Sequence, residues 1–537
     1  MMTAYRLKRY QITEEKIGED TLRLLKGRPR NLAELLQKTV TESPQKEGLI
    51  SGDRRWTFGN FGDKVARLSW ALQNRFGAKK GDRIAILMET DIEYPLAFFG
   101  ITSFGGIAVP LNNRFSGEEL LYEIRNSESS ILIMDQSFWE VLGPLRHQLV
   151  SVKYLFVRGS ETPQGTLPFS ALLDEPGEKP VLVELREEDV AMLMYTSGTT
   201  GFPKGAMQTH RGIILACMLI DDIFESSPET DRMLNVLPMF HAAGTIMSSF
   251  AAIYMKVPCV YMSKFKTEKV LEVIQRERIS LMVHVPTIYW LLANHPDFDR
   301  YDLKSFRVGI TGGAPKSKET FEVLRNKLPW ARFVDTFGLT ETHTLDFILD
   351  HEEMTTQMSA VGRVVPIEEV RIEDKEGNFC APGTPGEILI KGPKIVLGYW
   401  NNPQGTKEAI RDGWFHTGDF GKIDESGYMY ILDRIKDMIN RGGENIYSVE
   451  VENAISRNPK VAETAVIGVP DEVFGEVVKA YVILRKGATM TKDELQEHCK
   501  RYLADYKIPK YVEFVDDLPR NQTGKIMKKE LRASHAI

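Results

Sequence analysis

The stretch 190–205 limits the fold more than any other part of the chain. Val190-Ala191-Met192-Leu193-Met194 is apolar at five successive positions and reads as a buried strand. It runs into Tyr195-Thr-Ser-Gly-Thr-Thr-Gly-Phe-Pro-Lys-Gly205, where three glycines, five hydroxyl residues, one proline and one lysine take ten of eleven positions. Such a loop can turn several backbone N–H groups and hydroxyls toward one concave space, as a polyphosphate requires. Gly198, Gly201 and Gly205 let the backbone come close to a ligand, and Lys204 offers a mobile point charge. A flexible turn after a strand is the plainer reading, and the lysine and dense hydroxyls weigh against it. Lys204 is preceded by Pro203 and followed by Gly205, so the loop is not a Walker A sequence.

The rest of the chain repeats the strand-then-helix order. A helix is expected from the Asn31 cap, with Leu32, Leu35, Leu36 and Val40 on one face. A hairpin follows at 48–57 with Gly52-Asp53 at its turn, then a helix over about 58–75 and a strand at Arg83–Met88. Residues 92–105 read as a buried helix ending at Gly105-Gly106, with apolar strands at 130–134 and 153–157. Beyond the loop come a helix at 210–222 and a strand at Met233–Leu237. A helix at 267–276 precedes strands at Ser280–Val285 and Phe306–Thr311. The class is α/β, with mostly parallel sheets covered on both sides. After about 360 the pattern becomes short alternating strands with Pro-Gly turns, and the hairpin Gly421–Arg434 closes that part. Residues 437–537 read as a small α+β unit, with a helix at 448–457, strands near 463–469 and 476–485, and a helix near 491–504. Residues 1–30 are charged and weakly patterned, and read as an extension packed on the surface.

Composition excludes several classes. At 537 residues the chain is too long for one simple core. A net charge of −6 without a long basic run argues against nucleic acid. Cys217, Cys259, Cys380 and Cys499 lie far apart, which suits neither a metal site nor a disulfide framework, and a reducing cytoplasm fits. The first twenty residues lack the apolar core of a secretory signal. The most apolar stretch, 246–262, is broken by Lys256 and Pro258 and is short for a bilayer. Peripheral association stays open, as does a homodimer.

Seven stretches together resemble the acyl-adenylate-forming superfamily: acyl-CoA synthetases, peptide-synthetase adenylation domains and beetle luciferase. They are YTSGTTGFPKG (195–205), LPMFHAAG (237–244), TGGAP (311–315), DTFGLTET (335–342), WFHTGD (414–419), DRIKDMINRGGENIYSVEVE (433–452) and PRNQTGKIMKK (519–529). They occur in the family's order, and the resemblance covers the chain from about 30 to its end. It implies a large adenylate-forming domain over 1–434, layered from sheets and helices with a small β-barrel-like part. It also implies a mobile α+β lid over 437–537, with a hinge near 435–436. The implied cofactors are ATP, Mg²⁺ and coenzyme A. A carboxylic acid is first joined to AMP with release of pyrophosphate, and the acyl group then passes to a thiol.

The resemblance also implies roles. Thr196, Ser197, Gly198, Thr199, Thr200, Gly201 and Lys204 would hold the β- and γ-phosphates. Thr340 would touch phosphate and Glu341 would bind Mg²⁺, although elsewhere a Thr-Glu pair is a helix cap. Phe337, within Thr336-Phe337-Gly338, would stack on adenine against Gly313-Ala314-Pro315. Most relatives carry tyrosine there, so stacking survives and a hydroxyl is lost. Asp335 would accept from the adenine amino group, or be a strand-end aspartate in a turn. Asp419 would accept both ribose hydroxyls with Arg434 beside it, or the two would be a structural ion pair. Lys525 would bridge the substrate carboxylate and the α-phosphate. Two anions about 4 Å apart repel by roughly 4 kcal/mol at an effective dielectric near 20, about three powers of ten in rate. The other reading of Lys525 is a solvated lysine in the run with Lys528 and Lys529. Lys436 falls at the hinge, and Gly442-Gly443-Glu444 would face the pantetheine tunnel, the alternative being a tight hairpin turn. His241 would stand beside the acyl site, or pack as a core residue. Ala242, Ala243 and Gly244 would leave room, and Val285, Thr311, Gly338 and Leu339 are further wall candidates.

The expectation is an ATP-dependent acyl-CoA ligase acting on a small-molecule carboxylic acid, a fatty acid in the first instance. A crotonobetaine-, carnitine- or aryl-acid ligase and a stand-alone enzyme loading a carrier protein are the alternatives. A luciferase-like oxygenase would need a luciferin and oxygen. A nucleotide sensor would have lost its catalytic positions, whereas Lys204, Glu341, Asp419, Arg434 and Lys525 are all present.

Overall fold

Two helices without an amphipathic stripe set the architecture. Glu93–Thr102 is buried at every position, and His210–Phe224 at all but one. A helix buried all round needs a layer on each side. The computed structural model, which describes residues 3–174, 183–196, 203–314, 316, 318–442, 444–520 and 526–535, supplies those layers as two sheets.

The seven-stranded sheet runs in the order Lys204–Thr209, Val190–Thr196, Ile107–Pro110, Arg83–Leu87, Ile131–Asp135, Tyr154–Arg158, Leu167–Pro168. The nine-stranded sheet runs Arg363–Val364, Phe347–Leu349, Arg332–Phe337, Val308–Gly312, Leu281–His284, Met233–Asn235, Cys259–Tyr261, Glu47–Ser51, Arg54–Thr57. Ile84, Ile86, Met192 and Met194 of the first sheet and Leu281, Val283, Val308 and Ile310 of the second join one apolar cluster with both helices. Each such side chain, fully buried, contributes about 1.5–3 kcal/mol. The far face of the first sheet (Leu87, Val109, Leu193) packs on Leu120, Leu121 and Ile124 of the helix Gly117–Asn126.

The backbone separates into two compact units, Met1–Val370 with Ile390–Phe415, and Arg371–Leu389 with His416–Ile537. A five-stranded sheet follows the order Glu369–Glu373, Gly386–Lys391, Trp414–Ile423, Ile410–Arg411, with Met429–Arg434 paired to Trp414–Ile423. Among the described residues this path is open, so the barrel-like part expected from the sequence is a sheet that need not close. At the C-terminal end, Val461–Asp471 and Gly475–Leu484 pair antiparallel and Tyr511–Phe514 adds a parallel strand. The helices Ser448–Ser456 and Lys492–Lys500 complete that core through Val451, Ile455, Leu495 and Cys499.

The N-terminus differs from its expected description as a surface extension. Ile12–Ile17 and Asp20–Leu25 form a hairpin whose turn holds Gly18 at φ 63°, and Tyr5, Leu24 and Leu25 enter the main core. The charges of Glu14, Glu15 and Lys16 hide the strand in the sequence. The buried leucines come only at the end of the second strand. No helix among the described residues is long and apolar enough to cross a membrane.

Candidate active site

The buried strand Val190–Thr196 returns as Lys204–Thr209, an antiparallel hairpin in which Thr196 faces Lys204. Residues 197–202, and with them Ser197, Gly198, Thr199, Thr200 and Gly201, lie outside the described residues. Both shoulders of the loop are braced by the helix Gly117–Asn126. Tyr195 Oη donates to Asn126 Oδ1 at 2.7 Å, and Tyr122 Oη donates to the Pro203 carbonyl at 3.1 Å. Thr196 Oγ1 donates to Glu341 Oε1 at 3.3 Å, and Tyr399 Oη donates to the same oxygen at 2.9 Å. Lys204 Nζ stands 5.0 Å above the Tyr399 ring. Burial first, and Glu341 second, push the Tyr399 phenol far up, so it stays a donor. Gln208 Nε2 donates to the Thr340 carbonyl at 2.8 Å. Thr196, Lys204, Thr340 and Glu341, 136 residues apart from Lys204 to Thr340, are thus one cluster.

The carboxyl ends of the parallel strands carry the second group, the place where open α/β sheets bind ligands. His284, Thr311 and Asp335 sit in register on three adjacent strands. Thr311 Oγ1 donates to Asp335 Oδ1 at 2.7 Å, and Lys316 Nζ donates to Oδ2 at 2.5 Å and to the Ala360 carbonyl at 2.6 Å. Burial raises the Asp335 carboxyl, against the pull of Lys316. With the Thr336 N–H also bearing on it, the carboxylate as a whole keeps a lone pair for a further donor. Thr336 Oγ1 donates to the Thr311 carbonyl at 3.0 Å, so that hydroxyl is engaged within the sheet. Gly313 has φ 73° and is exposed with Ala314, while Pro315 lies outside the described residues. Phe337 is half-buried, its ring 6.0 Å from that of Phe347. At Gly338 a Cβ would meet the Leu345 nitrogen at 2.3 Å, so the turn itself requires glycine there. Val285 lies against Gly313, and Leu339 is half-buried.

His241 is closely surrounded by protein, yet its side chain keeps an exposed surface. Burial, with a smaller push from Arg114, lowers it to about 4, so the imidazole is neutral near pH 7. Phe240 lies 5.2 Å from it, ring to ring. Gly244 is small for a local reason, since a Cβ would meet the Pro238 carbonyl at 2.3 Å.

In the second unit Asp419 and Arg434 face each other across a strand pair, with Arg434 Nε 2.7 Å from Asp419 Oδ1. Asp419 is buried and Arg434 half-buried. Gly418 has φ 68°, and its N–H donates to Glu387 Oε1 at 3.1 Å, which fixes the loop before the aspartate. Lys436 is lowered chiefly by burial of its ammonium. Gly442 has φ 60°, and Glu444 is exposed opposite Arg441. Gly443 and Lys525 lie outside the described residues. Among the described residues, the group of three side chains able to share a cation is Glu373, Glu387 and His416, in which His416 Nδ1 and Glu387 Oε2 already lie 3.1 Å apart.

Tyr399, Gln208, Lys316 and His343 were missed by sequence reasoning. Tyr399 lies in Gly398-Tyr399-Trp400, whose aromatic pair after a glycine was the available signal. His343 Nε2 accepts from the Thr209 N–H at 2.9 Å, and its Nδ1 donates to the Lys394 carbonyl at 2.5 Å. Burial lowers this imidazole to about 3 and keeps it in one neutral tautomer. Nothing in local sequence announces that link.

The family model for AMP-binding enzymes matches residues 36–400, and that for the AMP-binding enzyme C-terminal domain matches 450–525. A feruloyl-CoA synthase of Amycolatopsis sp is 36% identical over 91% of this chain and 96% of its own length. The long-chain-fatty-acid–CoA ligase FadD13 of Mycobacterium tuberculosis is 34% identical over 94% of this chain and 99% of its own. Among solved structures, the anthranilate CoA ligase AuaEII in complex with anthranoyl-AMP superposes with a TM-score of 0.85 at 27% identity, covering 94% of this chain and 97% of that one. The chain belongs to the AMP-binding enzyme family, in its acyl-CoA synthetase branch, and uses ATP and coenzyme A to activate a small-molecule acid.

Proposed function

We propose that the acid is apolar, a fatty acid in the first instance, and that it is activated in two steps on the residues named above. An acid oxygen attacks the α-phosphorus, and the bond to pyrophosphate breaks. The thiol sulfur of coenzyme A, having given up its proton, then attacks the acyl carbon, and AMP leaves. Loop 196–204 with Lys204 receives the β- and γ-phosphates. Asp335, Phe337 and Gly313–Pro315 receive the adenine, with Thr336 and Gly338 shaping that strand end. Asp419 and Arg434 take the ribose side. Lys525 joins the acid carboxylate to the α-phosphate, Lys436 is the hinge between a 1–434 domain and a 437–537 lid, and Gly442–Glu444 serve the thiol. Thr196 and Tyr399 both engage Oε1 of Glu341, which leaves Oε2 for a cation. A lone carboxylate suits Mg²⁺, which keeps most of its waters. Bound there, Mg²⁺ would offset phosphate charge. The reading places the enzyme in the cytoplasm, without a nucleic-acid partner.

The observation that carries the apolar acid is His241. It is a neutral imidazole that keeps exposed surface, and Leu237, Met239 and Met247 near it in the sequence belong to the apolar core. An uncharged neighbourhood suits an uncharged chain better than a carnitine-like cation.

An aryl acid with a polar substituent is the second reading, favoured by His284. Its Nδ1 accepts from the Val285 N–H at 3.0 Å, so Nε2 carries the proton, buried without a protein acceptor among the described residues. The test is acid-dependent AMP release with coenzyme A, over short, medium and long fatty acids, hydroxylated aryl acids and carnitine-like acids. Saturated fatty acids should be preferred. A preference for carnitine-like acids overturns the apolar reading, and a preference for hydroxylated aryl acids selects the second. Discharge only by a carrier protein, and not by coenzyme A, overturns both.

A further inference from the structure

The three residues after the Thr340–Thr342 turn are all left-handed: His343, Thr344 and Leu345 have φ 55°, 71° and 56°. No glycine eases that backbone, and Thr344 is β-branched. Five oxygens converge on one ammonium beneath it. Lys394 Nζ lies 3.2 Å from the Thr342 carbonyl, 2.6 Å from that of Thr344 and 3.1 Å from that of Leu345. It lies 3.1 Å from Asp346 Oδ1 and 3.0 Å from Glu368 Oε1, and all three side chains are wholly buried. Three N–H donors among five oxygens is a coordination shell more than a set of separate hydrogen bonds. Burial drives the Glu368 carboxyl well up, against the pull of Lys394.

The segment that carries Lys394 also holds Glu341. The Val396 N–H donates to the Glu341 carbonyl at 2.9 Å, and Tyr399 Oη holds the Glu341 carboxylate. One run of chain, 394–400, therefore fixes both the backbone and the side chain of that residue.

We propose that Lys394 is a positioning residue for the nucleotide site, a tethered cation that holds the turn 342–346 and so the aim of Thr340 and Glu341. This rests on the reading that Thr340 and Glu341 receive the Mg²⁺–nucleotide. A partner for a buried carboxylate need not be a cation, since a neutral hydrogen-bonding set serves as well. An ammonium ringed by carbonyls is called for where the backbone itself must be held.

The experiment compares Lys394→Met, Lys394→Ala and Glu341→Ala with the intact enzyme by steady-state AMP release, and by binding of a fluorescent ATP analogue. In Lys394→Met the KM for Mg·ATP should rise about tenfold, as for loss of a charge-assisted hydrogen bond. The KM values for acid and coenzyme A should stay within about twofold. Lys394→Ala, which leaves the ammonium's space open, should recover nucleotide affinity in potassium or ammonium chloride but not in choline chloride. Unchanged Mg·ATP affinity, or equal loss for all three substrates, overturns the proposal, and so does absence of cation recovery. Should Lys394→Met fail to fold, Asp346→Asn/Lys394→Met removes the stranded charge as well and carries the same comparison. If Glu341→Ala leaves nucleotide affinity intact, the reading of the site has failed. If Glu341→Ala weakens nucleotide affinity while Lys394→Met leaves it unchanged, only this proposal has.

Discussion

Glu123 shows how far one buried residue can set the pH response. It is 1% exposed on the helix that braces the nucleotide loop, and the Asn112 N–H donates to it at 3.4 Å. Burial pushes its carboxyl up to about 8. A raised carboxyl favours the fold fully below the unfolded value near 4.3, and that contribution is lost as pH rises through about 8. Glu123→Gln keeps the shape and removes the titration. Its melting temperature should match the parent near pH 4.5 and exceed it increasingly up to pH 8, reaching a gap of several degrees. A constant gap across that range in thermal unfolding would show that Glu123 does not titrate with folding. The sequence names Glu123 only as one glutamate among many, because burial is a tertiary property. The same holds for Lys316 and Lys394, lysines whose composition-level meaning is solvent but whose ammonium groups each sit on buried oxygens. Lys204 and Glu341 were legible because their neighbours in the chain form a motif. Tyr399, which holds Glu341, was not, because its partner is 58 residues away.

At the level of elements, periodicity and apolar runs located most helices and strands to within a few residues. Both buried helices and the central strands belong to segments too apolar to be placed elsewhere. The N-terminal hairpin escaped because its exposed face carries charge. The loop 340–346 escaped because three left-handed residues without glycine have no sequence signature. The helix His210–Phe224 joins that loop through its first turn. Thr209 Oγ1 caps it by accepting from the Gly212 N–H at 3.1 Å, and a Cβ on Gly212 would meet three atoms of the His343 ring at 2.5 Å. That ring is fixed on both sides, by the Thr209 N–H and the Lys394 carbonyl, so it cannot step aside. Gly212→Ala, normally favourable in a helix by up to about 1 kcal/mol, should instead destabilise by about 1–3 kcal/mol. Thermal unfolding and the KM for Mg·ATP report the outcome together. An unchanged melting temperature would mean that the imidazole can relocate, and that it is no fixed link to Glu341.

For the whole molecule the question is which residues separate the two half-reactions. Lys525→Ala should nearly abolish acid-dependent ATP–pyrophosphate exchange while sparing thioester formation from supplied acyl-AMP, because only the first step brings two anions together. Equal loss in both would remove Lys525 from its assigned role. The proposed hinge residue is tested differently. Around Lys436 the chain makes a turn, with the Asp437 and Met438 N–H groups donating to the Arg434 carbonyl at 2.9 and 3.1 Å. Residues on either side of it are tied together within the second unit. Ser448 Oγ donates to Asp433 Oδ1 at 3.0 Å, and the rings of Phe420 and Tyr447 stack at 5.7 Å. If the chain rotates at 435–436, it must break these contacts and replace them, and two backbone conformations must then be accessible to Lys436. Proline holds φ near −65° and restricts the residue before it. Lys436→Pro should therefore favour one conformation and slow one half-reaction at least tenfold more than the other, measured by pyrophosphate exchange against thioester formation from acyl-AMP. Wild-type rates in both assays would move the hinge away from Lys436, whereas equal slowing would point to damage in the turn rather than to a lost rotation.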